Sequence, residues 1–297
     1  MEPLVTAAHY EVDRARGAVA HRRLGPPPPP RAGVPTSRPP GPFLARVFAL
    51  SIPFGLLGLA TDAQLLPGLS VSALSALCPL AAALMMVGQE GRTGGVKALL
   101  LRSLDWRRIR DKRWYVPVLL LMPFIDVLVY GSMRWMDLPL PLPLPLPLPR
   151  IAVLPVLLMF LVFFVGALGE ELGWSGYLLD PMQQRWPAWQ AGAILGAVAV
   201  VWHLVPLLLM QRPPAWIAWW ALYALASRVL IVWLYNNTGR SVFAVALFHA
   251  TLNLSFALFP VAGSHFDMRL GGLATALAAA IVLLVWGPRT LVRSRPA

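Results

Sequence analysis

Eight stretches of this chain run for about twenty residues with almost no charge, and that repetition limits what the chain can become. They lie at roughly 43–61, 68–88, 114–133, 154–179, 190–211, 215–236, 241–260 and 271–287. A bilayer core about 30 Å thick is crossed by about 20 residues of α-helix, which rises about 1.5 Å per residue. In hydrocarbon every backbone N–H and C=O must find its partner without water, and a lone apolar segment does so only as a helix. The expected fold is therefore all-α, a polytopic membrane bundle of about eight transmembrane helices. Composition agrees, since 58% of residues are hydrophobic and mean hydropathy is +0.65, well above a soluble domain. A single cysteine, Cys78, excludes a disulfide framework within the chain.

The flanks are of another kind. Residues 1–42 hold the run Pro26–Pro30, six arginines and little apolar periodicity, which predicts a disordered cytoplasmic Pro/Arg-rich tail. No apolar stretch follows the early basic residues before that run, so the tail does not read as a signal peptide. A helical domain over 43–288 follows, and 289–297 form a short basic cytoplasmic tail. Alternate prolines in "LPLPLPLPLPLP" (138–149) fix φ and remove donors, predicting an extended connector. With the N-terminus inside, twenty Lys and Arg fall on inner segments and four (Arg134, Arg150, Arg212, Arg269) on outer loops. This asymmetry predicts a multi-pass protein of the cell membrane with both termini cytoplasmic. It also accounts for the net charge of +12 without nucleic acid; the partner implied is the lipid bilayer.

Ionisable groups inside spans are expensive, face the bundle interior and are functional candidates by default. In "GALGEELGWSGYL" (166–178), Glu170 and Glu171 interrupt an uncharged run, yet the sequence stays apolar to Leu179 before Asp180–Pro181. If the helix stops there, Glu170 sits nine residues inside it, about 13 Å deep. The alternative is that the carboxylates simply mark a helix end. His203 stands alone among apolar residues in the next span, as a structural histidine would. His249 and Asn253 are spaced i, i+4 and share a helical face, as interhelical polar contacts also do. Together Glu, His, His and Asn on three helices form an inventory for binding a metal or activating water. Their depths from the inner helix ends, about 12–20 Å, are compatible with one pocket.

In this order, "EELGWSGYL", "VWHLVP" and "NNTGRSVFAVALFHATLN" resemble the CPBP family of intramembrane proteases, which groups CAAX prenyl endopeptidases with bacterial Abi and bacteriocin-immunity relatives. The resemblance covers about 68–260, including the basic loop "GRTGGVKALLLRSLDWRR". Glu170 and Glu171 match the family's Glu-Glu-x-x-x-Arg, but Ser175 stands at the arginine. His203 matches Phe-x-x-x-His, with Ala199 at the phenylalanine, and His249 and Asn253 match His-x-x-x-Asn in full. The resemblance implies an intramembrane metallo-endopeptidase that hydrolyses a peptide bond of a protein or peptide substrate by glutamate-activated water. Glu170 would be the base, His203 and His249 metal ligands or electrophiles, Asn253 oxyanion support and Glu171 an orienting group. Zinc is the first divalent metal to expect, since imidazole and carboxylate suit it. A non-catalytic scaffold or immunity protein of the same fold is the alternative, and a transporter a third.

Without the family's arginine, Glu171 needs a partner from elsewhere. Arg228 is the one basic residue other than histidine deep within a span, at a depth near 12 Å that matches Glu171. It is expected either to pair with Glu171 from the neighbouring helix or to snorkel to the inner interface along its own stem.

Overall fold

The computed structural model describes residues 39–66, 69–91, 93–140, 153–258 and 267–293. The expected tail up to residue 38, most of the Leu-Pro connector and the last four residues lie outside them. Among the described residues seven helices are long and apolar enough to cross a membrane. These are α1 (Pro40–Ala60), α2 (Val71–Gln89), α3 (Lys112–Trp135), α4 (Val153–Gln183), α5 (Ala188–Leu209), α6 (Pro214–Asn237) and α8 (Met268–Trp286). Between the last two lies α7 (Val242–Leu258), apolar but shorter at 17 residues. The chain is an all-α, multi-pass membrane protein. The described strands, Gln64–Leu66 and Leu69–Ser70, pair antiparallel between α1 and α2.

Apolar faces that meet lipid need no partner, so burial shows which helices the bundle is built around. In its most apolar window α6 is 56% buried and α1 only 11%. Helix α6 packs between α5 and α8, while α7 packs on α4 and α3. Small residues allow the closest approaches, as expected where packing rather than water drives helix association. Gly169 and Gly173 flank the two glutamates and press against α2: a Cβ would meet the Ala76 carbonyl oxygen at 2.8 Å and the Pro79 oxygen at 2.5 Å. Gly196 lets α5 approach α6 in the same way, 2.9 Å from the Leu225 Cα. Thus the glutamate helix is pinned on one side by glycine, and its carboxylates face the other helices.

Helix α4 does not stop at Asp180–Pro181 as its sequence suggests. It passes through one turn of π-helix, Trp174–Leu178, and continues as α-helix over Leu179–Gln183. A proline ring ordinarily clashes with the carbonyl four residues earlier. Here that residue, Tyr177, lies in the widened π turn, which gives the ring room.

Candidate active site

Glu171 is the centre of the polar cluster and is fully buried. Arg228 Nη1 on α6 donates to its Oε1 at 2.7 Å, and His249 Nδ1 on α7 lies 3.0 Å from the same oxygen. Ser175 Oγ, one turn further along α4, donates to Oε2. Three helices thus meet on one carboxylate. Ser175 is therefore a local partner of Glu171, although the sequence reads it only as a missing arginine. Arg228 is 5% exposed, so it does not snorkel; its guanidinium lies against Glu171, in the place that the motif's arginine would be expected to serve.

The hydrogen bonds place a hydrogen on Nδ1 of both histidines. A carboxylate and a carbonyl only accept, so each Nδ1 must carry a hydrogen. His249 donates from Nδ1 to Glu171; His203 donates from Nδ1 to the Ala199 carbonyl one turn back at 2.8 Å. Each imidazole therefore has Nε2 left for other chemistry. The His203 ring is flanked by Trp202 and Trp220, with centroids 4.8 and 5.2 Å away. Glu170 is nearly buried at 6% exposure, and its Oε2 has no hydrogen-bond partner among the described residues. Asn253 is half-buried one turn along α7 from His249, with no side-chain hydrogen bond to another described residue.

A zinc ion would find suitable donor types here, two imidazoles and a carboxylate. Yet among the described residues no group of three or more His, Cys, Asp or Glu is gathered closely enough to hold a metal. The donor set among the described residues does not fit a three-ligand zinc site.

Two further sets of residues escape a reading of the sequence. Asp126 lies in the middle of α3, 3% exposed; Ser255 Oγ on α7 donates to its Oδ2, while Oδ1 has no partner among the described residues. The intramembrane-charge rule that singled out the glutamates applies equally to this lone aspartate. The second set is Arg102 and Asp105 in the basic loop. Arg102 donates to the Gly176 carbonyl of the π turn at 2.5 Å, and to the Tyr235 hydroxyl and Arg240 carbonyl at 2.8 Å each. Asp105 accepts from Ser241 Oγ at 2.7 Å and from the first backbone N–H groups of α7, Val242 at 3.3 Å and Phe243 at 3.1 Å. These donors have no partner within the helix, and the aspartate supplies one from outside.

Residues 152–255, which carry all three motifs, match the family of Rce1-like type II CAAX prenyl endopeptidases. A stretch of 138 residues is 28% identical to "CAAX prenyl protease 2" of Methanococcus maripaludis, over 43% of this chain and 49% of that protein. The chain spans about half the length of this curated relative. This motif-bearing third of the chain is CAAX-protease-like, in agreement with the resemblance in the motifs.

Proposed function

We propose that this CAAX-protease-like membrane protein is an endopeptidase, cleaving a peptide bond within the bilayer with both termini on the cytoplasmic side. The observation that carries the reading is the buried Glu170 oxygen without a partner among the described residues, next in the chain to the carboxylate that meets His249. A water between Glu170 Oε2 and His203 Nε2 would donate to both. As its oxygen bonds to the peptide carbonyl carbon, Glu170 takes the proton. The protonated Glu170 then gives that proton to the leaving amine as the C–N bond breaks.

We infer the part of His249 from the charge of the buried set. Two carboxylates and one guanidinium leave one negative charge, which a protonated His249 cancels; unbalanced buried charge is costly. As an imidazolium it holds Glu171 through Nδ1 and offers Nε2–H to the oxyanion, with the Asn253 amide beside it on the same face. Glu171 and Arg228 touch no reacting atom; they orient and charge-balance His249. The substrate would be a protein or peptide, reached from the membrane.

The test is turnover of a peptide library by the purified protein. Glu170→Gln keeps the shape of the side chain but cannot take a proton, so it should fold normally and lose hydrolysis. His203→Ala and His249→Ala should each lower turnover on the order of 10²-fold or more. Near wild-type turnover in Glu170→Gln overturns the assignment.

A further inference from the structure

The loop that holds the active-site helices has an opposite face with no partner among the described residues. Leu101–Arg108 forms 3-10 helix, in which residues i and i+3 eclipse, kinked at Leu104 and Asp105. Across the kink Arg102, Asp105 and Arg108 still line up, with Asp105 Oδ2 lying 3.9 Å from Arg102 Nε and 3.5 Å from Arg108 Nε in one row. Arg108 is exposed, and the inner part of that row, Arg102 and Asp105, faces the bundle. It holds the π turn of α4, the end of α6 and the first turn of α7 through the bonds of Arg102 and Asp105. Gly239 beyond α6 packs on it too, where a Cβ would meet the Arg108 carbonyl at 2.7 Å.

The other rows carry Leu101, Leu104 and Trp106, which are 55%, 66% and 44% exposed. Around them stand Lys97, Arg107, Arg108, Arg110 and Lys112, all exposed. Arg107 and Lys112 lie over the Trp106 ring at 5.2 and 5.6 Å. An apolar ridge ringed by cations, between the ends of α2 and α3, has the chemistry of an element lying at a membrane surface. The charge pattern selects among lipids, since basic residues next to the apolar boundary favour anionic headgroups.

We propose that Leu101–Arg108 is a lipid-responsive strut. Leu101, Leu104 and Trp106 seat in an anionic phospholipid surface, and Arg102 and Asp105 convey that seating to the helices bearing Glu170, Arg228 and His249. The seating and its transmission do not depend on the proposed hydrolysis.

The test uses the full chain in nanodiscs of phosphatidylcholine, with or without phosphatidylglycerol. A nitroxide at Leu104→Cys, in a Cys78→Ser background, should be reached by oxygen, shielded from a water-soluble relaxant, and deeper when phosphatidylglycerol is present. Transmission is read by amide hydrogen exchange at 242–249, which should slow in phosphatidylglycerol. Asp105→Ala should erase that response. If Asp105→Ala fails to fold, Arg107→Gln, an exposed change, should weaken the lipid preference about fivefold with the bundle intact. A label equally water-exposed in both lipids overturns the seating. A seated label with identical exchange at 242–249 in both lipids overturns the transmission. A chain that hydrolyses no peptide would count against the proposed function while leaving both readouts in force.

Discussion

Replacing Arg228 by alanine tests whether a guanidinium from α6 stands in for the motif's arginine. In the native site Glu171 is fully buried and meets Arg228 at 2.7 Å. Removing one partner of a buried pair strands the other, at about 3–5 kcal/mol, which is much of a typical stability of about 5–15 kcal/mol. Such a loss lowers the folded-to-unfolded ratio by a factor of roughly 10² to several times 10³. Ser175 Oγ and His249 still donate to Glu171, so the lower end of the range is expected. Adding Ser175→Arg puts a cation four residues from Glu171, on the same helical face. Ser175 is 1% exposed, so the larger side chain strains the site, by about 1–3 kcal/mol for a typical overpacked core. The space vacated at position 228 offsets part of this. The double variant should therefore recover about 1–3 kcal/mol over Arg228→Ala, read as the midpoint of reversible unfolding in mixed micelles. Glu171→Gln with Arg228→Met, which removes both charges, should also be more stable than Arg228→Ala. If Arg228→Ala unfolds like wild type, or the double variant is no better than the single, the reasoning is wrong.

Other outcomes follow from the same geometry. Hydrolysis should survive exhaustive treatment with a chelator, because among the described residues no three-donor group is gathered; activity lost to the chelator and restored by zinc would reinstate the metal. Gly173→Ala should destabilise the protein by about 1–3 kcal/mol or more, since the new methyl meets backbone of α2 at 2.5 Å; an unchanged unfolding midpoint would contradict the tight α2–α4 approach. A reporter active only in the cytoplasm, fused after residue 297, should be active, and a fusion active only outside the cell should be silent.

The spans were legible because hydropathy is what a bilayer selects, and the observed helices begin and end within a few residues of the expected ones. The lower end of α4 was not, because a proline reads as a stop unless the turn before it is known to be widened. Glu170, Glu171, His203, His249, Asn253 and Arg228 were legible as polar groups too costly to leave in lipid without cause. That rule also covers Asp126, which a reading centred on glutamates and histidines passes over. Arg102 and Asp105 were hidden for a different reason. In a loop rich in Lys and Arg a charged residue looks like an orientation signal. Their partners, Gly176, Tyr235, Arg240 and Ser241, lie 74 to 138 residues away, beyond any periodicity.

The π turn in α4 also acts as a phase shifter. A π turn holds about one residue more than an α turn, so the helix beyond it is rotated by about 100° relative to an uninterrupted one. One continuous rod thereby addresses two audiences. Above the turn Glu171 faces Arg228 and His249, and below it Gln183 exchanges side-chain hydrogen bonds with Asn236 at 2.7 and 3.1 Å. Deleting a single residue from Trp174–Leu178 would restore an ordinary helix and put the two halves out of step. Either Glu171 would swing away from its partners, or Gln183 would leave Asn236. Spacing between Glu171 and Gln183 is thus a quantity that mutation can change only in whole residues, and each unit costs about a quarter turn. Insertions and deletions should be far less tolerated between Glu171 and Gln183 than substitutions are, although nothing in the side chains alone would say so.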